Sequence, residues 1–301
     1  MNVTVRQLQA FASVASLGSF VDAARAMHVT ASALSLLVGE LEQTLGFRVF
    51  DRTTRRVRLS RQGQQYLPYA RRVLGDLDSA RHCALELRNE KSGIVRIAAT
   101  QTLSWMILPP AFAAFRAQRP DIRVEPLDTP VDQILREVDE GNADLAITVR
   151  GGVVPDLDGV PLFTSRLQLA CRSDHPWADR KRLRWADLGA EPLIFTGSDT
   201  PQRLNASLPA GVQLQVAWQT SHSGSSIALV ASGFGSAICA TYLRPMIEMH
   251  RLRMIPLSQP TLAREITLYS SRSRPMMPAV EALREFLVGY FAAGGAARSN
   301  L

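Results

Sequence analysis

Apolar residues recur three and four positions apart through the first ninety residues. Beyond Ser92 they change to short apolar runs alternating with helical stretches. Val5, Leu8, Phe11, Ala12 and Ala15 give one apolar helical face. Thr4-Val5-Arg6-Gln7 fits a capping box, in which Thr and Gln satisfy orphan amides at a helix start. Gly18 is placed to end that helix in a left-handed conformation. Ser19 caps a second helix with Ala23, Ala24 and Met27 inside. Val29-Thr30 turns the chain, and Thr30 caps a third helix whose buried stripe is Leu34, Val38, Leu41 and Leu45. Two short helices with a tight turn before the second make a helix-turn-helix, whose second helix enters the DNA major groove.

The outward face of the third helix carries Ala31, Ser32, Ser35 and Leu36, behind the capping Thr30. No Lys or Arg occurs from Val29 through Phe47. Base reading would then rest on hydroxyls and on apolar contact with thymine methyls. The positive charge follows in Arg48, Arg52, Arg55, Arg56, Arg58 and Arg61. Val57 and Leu59 alternate with Arg56 and Arg58 as in a half-buried strand. Val49-Phe50 is its expected partner, and the chain turns around Thr53-Thr54. This is a wing that would lay Arg52, Thr53, Arg55, Arg56 and Arg58 on phosphates. If about five of the arginines in this run reach phosphate, the log-log salt slope of affinity is near −4 to −5. The rival is a plain three-helix bundle with a solvated arginine face.

Ser60 caps a helical stretch that continues to about Glu90, about 45 Å at ~1.5 Å per residue. Its stripes are Leu67 and Leu74; Ala70, Leu77 and Ala84; and Val73, Ala80 and Leu87. So broad an apolar surface predicts a partner helix, most simply that of a second subunit. Pro68 removes a backbone donor near the start.

Up to this point the chain resembles the N-terminal region of the LysR-type transcriptional regulators. The matching residues are Phe11-Ala12-Ser13-Val14-Ala15, Gly18-Ser19-Phe20, Ala23-Ala24, Val29-Thr30, Ala33-Leu34-Ser35, Leu41-Glu42, Leu45-Gly46, Val49-Phe50-Asp51-Arg52 and Leu59-Ser60-Arg61-Gln62-Gly63. Family members commonly carry Gln near Ala31 and a basic or polar residue near Leu36; this chain has neither side-chain donor.

Composition agrees with an acidic partner. The formal net charge is +7 over 301 residues. Residues 1–90 hold twelve Arg and no Lys against eight acids, or +4; the remainder holds 22 bases against 19 acids, or +3. Met1 to Ala10 has no apolar core, so no signal peptide is expected. The charge-free run between Arg203 and Arg244 is broken by Ser, Gln, Gly and Pro, which argues against a membrane span. Cys83, Cys171 and Cys239 form no even disulfide framework and suit a reducing cytoplasm. Some LysR-type relatives sense peroxide with a cysteine pair, but Cys171 and Cys239 sit in apolar runs and are expected to be inert core thiols.

Beyond Ser92 strands are expected at Ile94–Ala99, Ile122–Leu127 and Leu145–Val149, with helices at Leu103–Gln118 and Val131–Glu140 between them. This is the signature of parallel βαβ units. A connection near Val160–Leu167 leads to a second set of segments at Leu167–Cys171, Leu193–Thr196, Val212–Trp218, Ile227–Ser232, Ser236–Ala240 and Leu252–Leu257. Glu265–Ser271 and a helix at Pro278–Phe291 return to the first lobe. Two lobes joined by two crossings resemble a periplasmic-binding-protein fold, the architecture of the LysR effector region.

In open α/β sheets ligands bind beyond the carboxyl ends of strands. Thr100, Gln101 and Thr102 follow the first strand, Thr129 the second, and Thr148 and Arg150 the third. In the second lobe Thr196, Gly197 and Ser198 follow one strand, and Thr220, Ser221 and His222 another. The expected effector-binding set is Thr100, Gln101, Thr102, Thr129, Thr148, Arg150, Thr196, Ser198, Ser221 and His222. It is rich in hydroxyls and poor in carboxylates, which suits a small organic acid or other metabolite. Several of these residues could instead only cap helices, and Arg150 could be a solvated loop residue.

No GxSxG, P-loop, HExxH or CxxC pattern occurs, and the five histidines lack local metal-ligand spacing. No catalytic residue, metal or cofactor is expected. The sequence therefore predicts an α/β protein in three parts: a winged helix-turn-helix over residues 1–59, a linker and dimerisation helix over 60–90, and an effector domain over 91–301. Lobe I of that domain spans about 91–161 and 265–295, and lobe II about 162–264. The expected function is cytoplasmic transcription regulation. The partners are double-stranded promoter DNA, a small-molecule effector, RNA polymerase as a candidate, and further copies of the chain in a homodimer or homotetramer. A solute-binding protein or an enzyme using the same cleft is the alternative.

Overall fold

The computed structural model describes residues 2–51, 57–89, 93–150, 156–197 and 200–294. They fall into two compact units, Met1–Glu90 with Asp139–Asn142, and Lys91–Val138 with Ala143–Leu301.

The first unit opens with three helices, α1 (Val5–Leu17), α2 (Phe20–Ala26) and α3 (Ala31–Leu45). Each starts at a side-chain cap. Thr4 Oγ1 accepts from Gln7 N at 3.3 Å while Gln7 Oε1 accepts from Thr4 N at 2.9 Å. Ser19 accepts from Asp22 N at 3.2 Å, and Thr30 from Ala33 N at 3.2 Å. Gly18 and Gly46 end α1 and α3 at φ 64° and 78°, which glycine adopts without a Cβ clash. Phe11, Leu34, Val38 and Leu41 are buried in the core of this unit. Phe50 meets Phe11 and Phe20 edge-on there, at 5.5 and 5.7 Å between ring centres.

After α3 come the short strands β1 (Phe50–Asp51) and β2 (Arg58–Leu59), paired antiparallel with Phe50 opposite Leu59. Two side chains hold this wing. Glu42, buried on α3, accepts from Val49 N at 2.8 Å and Phe50 N at 3.2 Å. Ser60 Oγ donates to Arg48 O at 2.6 Å and accepts from Gly63 N at 2.9 Å, capping α4 (Arg61–Asn89). A Cβ on Gly63 would lie 2.0 Å from Val49 O, so only glycine lets α4 approach the wing this closely. The helix continues through Pro68. Leu67, Ala70 and Leu74 pack on the core of this unit, while Tyr69 and Val73 are exposed.

The second unit contains β3 (Gly93–Ala99), α5 (Gln101–Met106), α6 (Leu108–Gln118), β4 (Ile122–Asp128), α7 (Ile134–Asp139), β5 (Leu145–Val149) and β6 (Leu157–Arg172). It continues with β7 (Leu183–Arg184), β8 (Leu193–Thr196), α8 (Thr200–Ser207), β9 (Val216–Thr220), α9 (Ser223–Ala231) and β10 (Ser236–Ala240). α10 (Arg244–Met249), β11 (Leu252–Ser258), β12 (Ala263–Ser271) and α11 (Pro278–Ala292) complete it. The strand order is β4-β3-β5-β12-β6-β10-β8-β9, with β11 also on β6. β4, β3 and β5 run parallel, as do β10, β8 and β9.

Three expectations need correction. The helix expected at Leu103–Gln118 is two helices, because Pro109 and Pro110 lack amide donors and are accepted only in a first turn. The helix expected at Val131–Glu140 is confined to Ile134–Asp139. The connection expected near Val160–Leu167 lies within the 16-residue strand β6. Its first part, Leu157–Arg166, pairs with β12, and its last part pairs with β10 and β11. The chain therefore passes between lobes within a strand, at Arg166–Leu167, where Leu167 N donates to Leu262 O at 2.9 Å.

Candidate nucleic-acid interface and effector cleft

In the first unit Thr30, Ala31, Ser32, Ser35 and Leu36 are all exposed, at the start and along the outer face of α3. Leu36 is 64% exposed, a large apolar side chain offered to solvent on that face. Thr30 and Ser32 hydroxyls lie 3.0 Å apart, and Thr30 also caps the helix, so it is tied to the backbone more than Ser35 is. Arg58 is exposed on β2. Arg52, Thr53, Arg55 and Arg56 lie outside the described residues. His28, in the turn between α2 and α3, adopts φ 54°.

In the second unit an open cleft of about 850 Å³ lies beyond the carboxyl ends of β3, β4, β5, β8 and β9. Thr100, Gln101, Thr102, Thr129 and Thr148 line it from one lobe, and Thr196, Ser221 and His222 from the other. Ser198 lies outside the described residues. Arg150 is not among the residues lining the cleft, and its guanidinium is 2.9 Å from Glu265.

The cleft hydroxyls are not equivalent. Thr129 Oγ1 donates to Leu127 O at 3.1 Å, and Thr200 Oγ1 to Thr196 O at 2.7 Å. Thr220 Oγ1 donates to His222 O at 3.0 Å and lies 2.6 Å from Ser226 Oγ. Each hydroxyl has one proton. Ser226 must therefore donate to Thr220, and Thr196, 2.8 Å from Ser226 Oγ, must donate to Ser226. All of these protons are spent inside the protein. Thr100 Oγ1 accepts from Leu103 N at 3.4 Å as the cap of α5 and keeps its proton.

Sequence reasoning missed Arg203, Tyr242 and Arg264, which also line the cleft. The rule that found the others, residues just past a strand's carboxyl end, would have found Tyr242 had it been applied to β10. Arg264 stands at the start of a crossing strand, and no local pattern marks it. Cys171 and Cys239 are buried, and burial pushes their thiols up to about 11 and about 12. Cys239 is opposite Gln168 and Cys171 opposite Arg253, so the two are not ladder partners. Among the described residues no group of three or more His, Cys, Asp or Glu is placed to hold a metal. No described helix is long and apolar enough to cross a membrane.

A winged helix-turn-helix and a two-lobed α/β unit with a cleft at its strand ends, in one chain, define a DNA-binding transcriptional regulator with an effector domain. The bacterial regulatory helix-turn-helix protein description of the lysR family matches residues 5–64, and the LysR substrate binding domain matches residues 88–292. The chain belongs to the LysR family. It is 30% identical over 286 residues to the uncharacterized HTH-type transcriptional regulator YfeR of Shigella flexneri, covering 94% of this chain and 92% of that one. The solved structure of full-length CbnR complexed with its target DNA matches at TM-score 0.70 and 20% identity, over 94% of this chain and 98% of that one. The effector binding domain of QuiR in complex with shikimate matches at TM-score 0.63 and 21% identity, over 68% of this chain and 99% of that one.

Proposed function

We propose that this regulator is cytoplasmic and controlled by a small organic acid bound in the cleft of the second unit. The observation that carries this is the composition of the cleft, about 850 Å³ walled by threonine hydroxyls with Arg203 and Arg264 and, among the described residues, Asp132. The volume fits a metabolite, and hydroxyl and guanidinium donors suit the oxygens of an organic acid. That QuiR was solved with shikimate, a small carboxylate, supports the class. A compartment holding the chromosome is the one in which a DNA-binding regulator acts.

The domain limits follow as 1–59, 60–90 and 91–301. Ala31, Ser32, Ser35 and Leu36 read bases, while Thr30 and the wing residues Arg52, Thr53, Arg55, Arg56 and Arg58 hold the backbone. Dimerisation runs along α4, whose Tyr69 and Val73 are 67% and 50% exposed, on a helix that would otherwise leave them to water. The effector units then join dimers into a tetramer on DNA, where RNA polymerase is a further partner. Effector binding acts by preferring one lobe arrangement, which shifts the population on DNA.

The test is binding of purified protein to DNA from upstream of its own gene, against a scrambled control, across a salt series with and without candidate acids. Selective binding altered by an acid supports this function. Turnover of an acid, or acid binding without DNA binding, would return the enzyme or solute-binding alternative.

A further inference from the structure

The outward face of α3 lacks the side chains that read bases through paired hydrogen bonds. In the major groove Arg and Lys take guanine, and Asn and Gln take adenine. None of the four occurs from Ala31 through Glu42. Gln43 is exposed, but it stands about three turns into the helix, past the N-terminal residues that reach base edges. What the face offers instead is hydroxyls and one large apolar side chain. The Thr30 and Ser32 hydroxyls lie 3.0 Å apart, and Ser35 stands exposed beyond them. A hydroxyl donates or accepts, so it meets the edge of any base and by itself rejects none.

Leu36 is different. At about 100° per residue it lies about 170° around the helix from the mean of Leu34, Val38, Leu41 and Leu45, directly opposite the buried stripe. Among the described residues of α3 it is the only large apolar side chain left exposed. Ala31, the other apolar residue of this face, lies about 140° around from it and is short. Two neighbours leave the space beside Leu36 open. Gly39, one turn on, has no side chain, and a Cβ there would meet nothing within 4 Å. Glycine weakens a helix interior, a cost that makes sense where a helix face must come close to a ligand. Glu40, also one turn on, is tied to α1, where its Oε2 accepts from Gln7 Nε2 at 3.1 Å. A leucine on the outermost line of a recognition helix, beside a bare turn and a restrained acid, supplies apolar contact and no hydrogen bond. The apolar group that base edges present in the major groove is the C5-methyl of thymine.

We propose that Leu36 reads the C5-methyl of a pyrimidine, so that operator choice depends on a thymine at one place in each half-site and responds to cytosine methylation there. This rests on the base-reading role proposed above for α3 and departs from the polar or basic residue that relatives commonly carry at this place. Against an unmethylated cytosine the same leucine covers polar base atoms without bonding them, which costs affinity. 5-Methylcytosine carries its methyl where thymine does. It differs in presenting an amino donor in place of a carbonyl acceptor, and a serine hydroxyl serves both.

In the test, full-length protein selects its sites from a random pool of duplex DNA. The strongest site is remade with deoxyuridine for thymine, one position at a time, which removes one methyl and leaves every hydrogen-bonding group in place. At one thymine per half-site this should weaken wild-type protein about fourfold, the factor for one buried methyl, and about fifteenfold when both half-sites carry it. With C·G in place of that T·A pair, methylating the cytosine should restore about fourfold. In Leu36→Ala both methyl effects should fall below about 1.5-fold, while the salt slope stays within about 0.5 of wild type. Leu36→Gln, similar in length, should also lose the methyl effect and gain a preference for adenine. Leu36 is exposed, so both variants should fold, and if one does not the other decides. A selected site with no methyl-dependent thymine, or methyl effects that persist in the variants, overturns the proposal. Protein that selects a site without methyl dependence keeps the regulator and loses the Leu36 reading; protein that selects no site loses both.

Discussion

Glu42 is the position where one atom change tests how this protein builds its DNA-reading surface. Its carboxylate is buried, and one oxygen accepts from both Val49 N at 2.8 Å and Phe50 N at 3.2 Å. Those amides begin the wing, and Glu42 is on α3, so this side chain ties the recognition helix to the wing. In Glu42→Ala two amides lose a charged acceptor at residues that are themselves buried. Each orphaned group costs about 1–3 kcal/mol, so a loss of about 2–6 kcal/mol is expected. In Glu42→Gln the amide oxygen can still accept both bonds without charge assistance, and about 1 kcal/mol should go.

The assay must see the right unit. All four tryptophans, Trp105, Trp177, Trp185 and Trp218, lie in the second unit, so tryptophan fluorescence is blind to this change. Denaturant unfolding followed by far-UV circular dichroism reports the helices of both. The unfolding of the first unit should shift strongly in Glu42→Ala and by only about 1 kcal/mol in Glu42→Gln. Operator affinity of the Ala variant should also fall less steeply with salt, because a displaced wing brings fewer arginines to phosphate. A Glu42→Ala protein within about 0.5 kcal/mol of the parent, below the range expected for orphaned amides, would refute the reasoning.

Other consequences can be checked in the same way. Gly63→Ala drives a Cβ to 2.0 Å from Val49 O, so a loss of about 1–3 kcal/mol is expected in the unfolding of the first unit. His28→Val places a β-branched residue at φ 54° and should cost about 1–2 kcal/mol, whereas His28→Gly should cost nothing, as read by thermal melts. Arg58→Ala should weaken operator and scrambled DNA alike and lower the salt slope by about 0.9, while Ser35→Ala should change their ratio more than either affinity. In a Cys83→Ser background, Cys171 and Cys239 should resist thiol reagents at pH 8 until the chain unfolds, since burial raises them to about 11 and about 12. Because the folded chain holds those protons more tightly than the ordinary thiol value of 9.0, stability present below pH 9 should be lost as pH rises from there toward 12. A pH titration of the unfolding midpoint, with Cys239→Ala as comparison, measures it.

Much of this was legible because local chemistry and global fold agree. Thr4, Ser19 and Thr30 carry the helix starts in their own side chains, and the apolar stripes of α1 and α3 point at one core. The strand ends that place Thr100, Thr129 and Thr148 follow from βαβ alternation, which any reader of apolar runs can find. What could not be read depends on contacts distant in sequence. β6 looks like a strand with a linker before it, because Pro161 interrupts the apolar run; only pairing with β12 keeps Leu157–Arg172 extended throughout. Arg150 looked like an anion ligand until Glu265, over a hundred residues away, took it.

The effector cleft shows the deeper limit. A sequence supplies hydroxyls but not the direction of their protons. Thr196 and Thr148 have the same chemistry and the same position past a strand's carboxyl end. Thr196 meets Ser226 on α9, and its proton enters a chain that ends at a backbone carbonyl. Thr148 lines the same cleft and meets no such acceptor among the described residues, so its proton is not committed in that way. Counting threonines therefore overstates the donors on one wall of the cleft. Which donors the cleft offers an effector is decided by the protons left over after the fold has satisfied itself.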